Sequence, residues 1–449
     1  MTQPARAAAA AVLAGGFVLA VAINWPGHLS FDSVEQLLEG RRGLYNTWHP
    51  PAMAWLLGVF DGVARGPGLF VVFDAALAFG ALAALLLLGR ARWSSVAAAV
   101  AIVLLPQVVL YQGMVWKDVL FADTAVAAFV CLALAAERGG RVRAGWLAAS
   151  FALLTLAALV RQNGLVLVPF AAGALGWIAL RQGEPVRRAA VAGVLLLVAV
   201  PALSDAASRL LELRSNGDSG PQEQLHVLAL YDLSGAVARE QGLKMDLLAD
   251  DDPGMAAAIR THGAGLYTPL RNDPVMSDPL VQRALNSREA DTEALMAQWR
   301  ELIVDHPFLY LRVRAAAFVQ VFATPDIVAC RPVFTGIEAP AAMLRKLGLA
   351  QRHDARDRAL DSYAKAFLGT PVWSHLAFAA LAMGCLVVLL RRRRGAADIA
   401  MAGLLAGAFG FTASFFVISI ACDYRYLYIL DLSALVGLFY LSLKRSTAA

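Results

Sequence analysis

Of the chain's 449 residues, 59% are hydrophobic and only 16% charged, against about 25% charged in an ordinary soluble domain. That composition excludes a soluble globular chain and requires an integral membrane protein. The formal charge of +5 lies in short loops between apolar runs, where it sets membrane orientation, so it does not point to a nucleic-acid partner.

Apolar windows long enough for a hydrocarbon core of about 30 Å fall at 8–24, 69–89, 93–111, 119–136, 144–160, 164–180, 189–203, 372–390, 399–421 and 426–443. If they alternate through the membrane, every basic cluster falls on one side. These clusters are Arg90 and Arg92; Arg138, Arg141 and Arg143; Arg181, Arg187 and Arg188; Arg391, Arg392, Arg393 and Arg394; and Lys444 with Arg445. The positive-inside rule makes that side cytoplasmic. A second reading of the N-terminus is a cleavable secretory signal, from Arg6 through the alanine-rich run to Ala20-Val21-Ala22. Both readings leave Asp32 outside.

The outer segments are 25–68, 112–118, 161–163, 204–371 and 423–425. Residues 51–64 are apolar but too few to span, which predicts an interfacial helix that brings His49 back toward Asp32. The 204–371 stretch has soluble polarity, turn signals at Asn216-Gly217, Asp252-Pro253-Gly254 and Asn272-Asp273-Pro274, and helical periodicity over 222–243 and 284–304. The expected organisation is a membrane module over 1–203 that includes the outer loop 25–68, a mostly helical extracytoplasmic domain over 204–371, and C-terminal membrane helices over 372–449. Cys131 and Cys385 lie within spans, whereas Cys330 and Cys422 share the outer side, where a disulfide is chemically permitted. The four cysteines have no metal-ligand spacing.

Polar groups at the outer ends of apolar spans commonly mark a substrate path. Asp32 and Glu35, three residues apart, share a helix face; Asp32 reads either as a helix cap or as a reactive carboxylate. His49-Pro50-Pro51 reads as a helix start. Lys117-Asp118 reads as a self-neutralising interfacial pair or as part of a site. Arg161, with Asn163 in the same tight turn, either snorkels to lipid phosphate or binds a substrate phosphate, and Arg425 admits the same two readings. Asp74, Asp123 and Asp431 lie inside spans, where acids ordinarily face the protein interior and have a partner.

In this order on one face, Asp32 after the first span, the interfacial segment through His49-Pro50-Pro51, Asp118, Arg161 and the Arg425-Tyr426 pair resemble the GT-C superfamily of polyprenyl-phosphate-sugar-dependent glycosyltransferases, the group with protein O-mannosyltransferases and aminoarabinose transferases. The likeness covers roughly the first 180 residues and the last thirty. It departs from the family's frequent adjacent acids, which here are separated as Asp32 and Glu35.

The resemblance implies an all-α GT-C-like bundle of about ten transmembrane helices in a bacterial cytoplasmic membrane, with its active face outside. It implies an inverting transfer of sugar from a polyprenyl phosphate, drawn from the membrane lipid, to an acceptor hydroxyl. Asp32 is then the general base, with Glu35 and Asp118 as further catalytic acids. His49, Lys117, Arg161, Asn163, Arg425 and Tyr426 bind the phosphate or orient substrate, and the acids leave room for a divalent cation. A glycan ligase or polymerase, a transporter or flippase, and a membrane assembly protein are the alternatives.

Overall fold

The computed structural model describes residues 3–215, 220–286, 292–392 and 395–444. Arg393, Arg394, Arg445 and the Asn216-Gly217 turn lie outside them. The protein is an all-α polytopic membrane protein. Among the described residues nine helices are long and apolar enough to cross a membrane, ten if one bent pair counts as a span, and β structure is limited to isolated bridges.

Helix α1 (Gln3–Asn24) packs Ala9, Leu13 and Ala20 into the main core. At its end the buried Asn24 donates from Nδ2 to the Val109 carbonyl at 2.7 Å and its Oδ1 lies 2.7 Å from His28 Nε2. Those bonds fix where the chain leaves the span. Helices α2 (Phe31–Arg42) and α3 (Pro51–Val63) form the segment that follows. They cross at Gly40 and Gly58, where a Cβ on Gly40 would lie 2.1 Å from the Ala54 carbonyl oxygen. Arg41 clamps the crossing with paired bonds of 2.9 and 2.6 Å to Asp61.

After α4 (Gly68–Leu85), the span predicted over 93–111 is corrected. Helix α5 (Trp93–Leu104) ends and α6 (Pro106–Val109) departs at 64°. Pro106 has no N–H to donate and disfavours helical backbone in the residue before it; Leu105 accordingly has φ −68°, ψ 135°. The bend turns Tyr111 and Gln112 into the core, where Tyr111 donates to the Pro332 carbonyl at 2.9 Å and Gln112 to Asp123 Oδ2 at 2.9 Å.

Helix α7 (Lys117–Ala136) is buried from Asp118 to Ala136, enclosed by α4, α8 (Gly140–Val160) and the Ala396–Ile418 and Tyr428–Ser442 helices. Then come α9 (Leu167–Arg181) and α10 (Val186–Glu212), the latter running past the predicted end at 203. Its Val194, Leu195 and Val198 are exposed, as a lipid-facing stripe requires. His375–Arg392 precedes the last two spans. Of the intramembrane acids, Asp431 accepts from Tyr424 Oη at 2.7 Å and lies 2.8 Å from His375 Nδ1, and Asp74 faces Asp123.

The 204–371 stretch divides between two cores. Helix α11 (Gly220–Arg239), Thr292–Asp305 and Pro307–Ala323 enclose a separate core that includes Leu230, Leu295 and Val313. Ile337, Leu344, Leu347 and Leu360 instead join the core of the membrane bundle. Two devices fasten the small core to the large one. Fully buried Arg314 reaches Asp232 Oδ1 at 2.6 Å and the Phe416 carbonyl at 3.1 Å, and also bonds Ser419. Cys330 and Cys422 form a disulfide across 92 positions.

Closing a loop of that length contributes roughly 4–5 kcal/mol in the chain-entropy account of disulfides. The double variant Cys330→Ser, Cys422→Ser is therefore expected to unfold at a distinctly lower temperature in detergent, and reductant should lower the wild-type midpoint alike. Equal midpoints would show that the disulfide adds nothing to the junction.

Candidate active site

Four helix ends bring the site together. Asp32 is in the first turn of α2, Lys117 and Asp118 open α7, Arg161 follows α8 in extended backbone, and Arg425 lies in the short Tyr424–Leu427 turn before the last helix. Arg425 is the hub. Its Nη2 lies 2.9 Å from Asp32 Oδ2 and 3.4 Å from Asp423 Oδ2, and its Nε lies 3.6 Å from Asp118 Oδ2. Its guanidinium also covers the Trp116 ring at 4.8 Å. Arg161 pairs with Asp118 and is boxed by the rings of Phe411, Phe415 and Tyr426 at 5.5 to 5.6 Å.

Lys117 and Asp118 do not neutralise each other, because neighbours on a helix point about 100° apart. Lys117 Nζ turns to His49 Nδ1, 2.8 Å away. Burial pushes the imidazole of His49 down to about 3, with the Lys117 charge adding to it, so the ring is neutral and accepts. Burial alone would raise Asp32, but Arg425, through its charge and its hydrogen bond, outweighs it and holds the carboxyl below its ordinary range. Asp32 is therefore ionised at neutral pH. Its side chain is 35% exposed, whereas that of Asp118 is 1% exposed.

Of the remaining predicted residues, Glu35 and Asn163 stand apart from this cluster and Tyr426 belongs to it. Glu35, raised by burial and then by the Asp32 charge, lies along α2. Asn163 donates to Ser414 Oγ at 3.2 Å and braces the Ala396–Ile418 helix. Tyr426 contributes its ring face to both arginines, Arg425 being 5.8 Å from its centre.

A cleft of about 780 Å³ opens on the exposed side of Asp32, Asp423 and Arg425. Lys117, His49 and Arg161 do not line it. The opposite side comes from Val328 to Pro340, with Lys365 and Leu368, and sequence reasoning found none of these. Trp116 also lines the cleft and was signalled by its place beside Lys117. Arg331 had no signal beyond adjacency to Cys330.

Asp32 and Asp118 are the carboxylates a divalent cation would bridge, and a guanidinium stands between them. Among the described residues no cluster of three or more His, Cys, Asp or Glu gathers to hold a metal.

Further along α2, Glu39 is pushed up to about 7 by burial and then by the charge of Glu35. An unfolded glutamate titrates near about 4.3, so between those values the folded chain holds a proton that the unfolded chain has lost. Stability from this group therefore falls as pH rises through that window. Glu39→Gln is expected to remove the dependence, gaining on wild type in thermal midpoint between pH 5 and pH 8. A constant difference between the two proteins would refute it.

Neither a protein-family model nor a curated protein matches the sequence. Among solved structures the fold is similar to the archaeal oligosaccharyltransferase AglB from Archaeoglobus fulgidus, in complex with an inhibitory peptide and a dolichol-phosphate. The identity is 14% and the TM-score 0.40, over 96% of this chain and 50% of that one, so the chain spans about half that protein's length.

Proposed function

We propose that the protein transfers a sugar from a polyprenyl phosphate to an acceptor hydroxyl, at the extracytoplasmic side of a bacterial cytoplasmic membrane. The observation that carries this reading is Asp32, its side chain 35% exposed, held 2.9 Å from Arg425 on the wall of a cleft. A carboxylate beside a guanidinium supplies both a proton acceptor and a cation for a leaving phosphate.

In the reaction, the acceptor oxygen attacks the anomeric carbon and its proton passes to Asp32. The bond from that carbon to the phosphate oxygen breaks in the same displacement, inverting the centre, and the polyprenyl phosphate departs with an added negative charge. Arg425 lies nearest that charge, with Arg161 close by in a poorly solvated setting where preorganised cations act strongly. Asp118 is a positioning residue, since it touches both arginines. Neutral His49 orients Lys117.

Two further observations support the reading. The charges gather at helix ends on one side, whereas a transporter ordinarily keeps its polar site near the midplane. The Cys330–Cys422 bond close to Arg425 suits an oxidising compartment. The test is release of labelled sugar from polyprenyl-phosphate donors by the purified protein with an added acceptor. Turnover above the hydrolytic background is expected. Its absence across hexose and pentose donors would sink the proposal and favour the non-enzymatic alternatives.

A further inference from the structure

Three basic residues line the cleft: Arg331, Lys365 and Arg425. Arg425 is committed to three carboxylates, and Lys365 Nζ lies 2.8 Å from Asp361 Oδ2. The guanidinium of Arg331 makes no ion pair or hydrogen bond to any other described residue.

Its placement is built into the fold. The disulfide joins Cys330 to Cys422, and the Tyr424 amide donates to the Cys330 carbonyl at 2.8 Å. The backbone of Arg331 is thereby locked beside the turn that carries Arg425. Arg331 also has φ +46°, a left-handed conformation uncommon for residues other than glycine. Such outliers persist where the surrounding structure holds them and cluster at ligand sites. Phe31, Val333, Phe334 and Leu368 add apolar surface to the same cleft.

The geometry points to Arg331 as the residue that docks the phosphate of a prenyl lipid in the cleft, beside Arg425. A guanidinium offers phosphate oxygens paired donors that an ammonium cannot reproduce, and the apolar wall accepts the adjoining hydrocarbon. This assignment rests on the reading under Proposed function and adds the substrate contact that the carboxylate-bound arginines leave open. The sugar donor is a phosphodiester and the spent carrier a phosphomonoester, and both present phosphate oxygens that a guanidinium can bind.

The test is binding of farnesyl phosphate to the full chain in detergent by calorimetry, with farnesol and inorganic phosphate as separate arms. Wild type is expected to bind farnesyl phosphate well above both. Arg331→Gln should weaken it by about 10- to 100-fold, the range for a lost hydrogen bond to a charged group, and Arg331→Lys should fall between. Arg331→Gly removes the side chain while suiting the local backbone, so it answers the question if the glutamine variant fails to fold. Arg345→Gln, outside the cleft lining, should bind as wild type. Equal binding by wild type, Arg331→Gln and Arg331→Gly would overturn this assignment alone. Failure of wild type to bind farnesyl phosphate would overturn the transferase reading beneath it. Inorganic phosphate bound as tightly as the lipid would overturn the assignment to a prenyl phosphate.

Discussion

Asp32→Asn is expected to lower sugar transfer by about 10²- to 10⁴-fold, the usual worth of a positioned general base, with little change in thermal midpoint. The amide cannot take the acceptor proton, yet its oxygen still accepts from Arg425, which keeps its contacts with Asp423 and Asp118. Glu35→Gln should cost far less, because Glu35 is outside the cleft lining. Since the Arg425 charge keeps Asp32 ionised below the ordinary carboxylate range despite burial, wild-type transfer should persist as pH falls toward 5 and fail only in stronger acid. The measurement is turnover against pH for both variants. An Asp32→Asn enzyme within threefold of wild type would reduce Asp32 to a structural partner of Arg425.

A second large effect is expected on stability. Arg314 and Asp232 are both fully buried, and removing one member of such a pair strands the other charge at a cost of about 3–5 kcal/mol. Arg314→Met also leaves the carbonyls of Phe416 and Ser419 without that donor. The single variant should express poorly or melt well below wild type, whereas Arg314→Met combined with Asp232→Leu should recover much of the loss. A single variant as stable as wild type would mean that the buried pair contributes nothing to the docking of the small core.

Span positions were legible because a membrane imposes length and composition directly on the sequence. The parity of the basic loops likewise anticipated that Asp32, Asp118, Arg161 and Arg425 would share a side. The break after Leu104 was hidden inside an apolar run, since hydropathy does not register the donor that Pro106 lacks. Of the two readings of Lys117 and Asp118, the self-neutralising pair fails because neighbours on a helix point apart, and membership of the charged cluster is what the geometry shows. Polarity also gave one undivided domain over 204–371, although only part of it has its own core. Arg331 was beyond reach, as its address depends on a bond to a cysteine 92 positions away.

Because α7 is enclosed on all sides from Asp118 onward, none of its surface answers to the bilayer. Its apolar residues are selected for shape, and a substitution scan along it should lack the three-to-four-residue rhythm of tolerance typical of a helix that borders lipid. Bulkier replacements at its many alanines would be rejected as firmly as charges. The pedestal beneath this charged cluster is thus the least adaptable part of the molecule, and variation between proteins of this build would be expected in the walls around it.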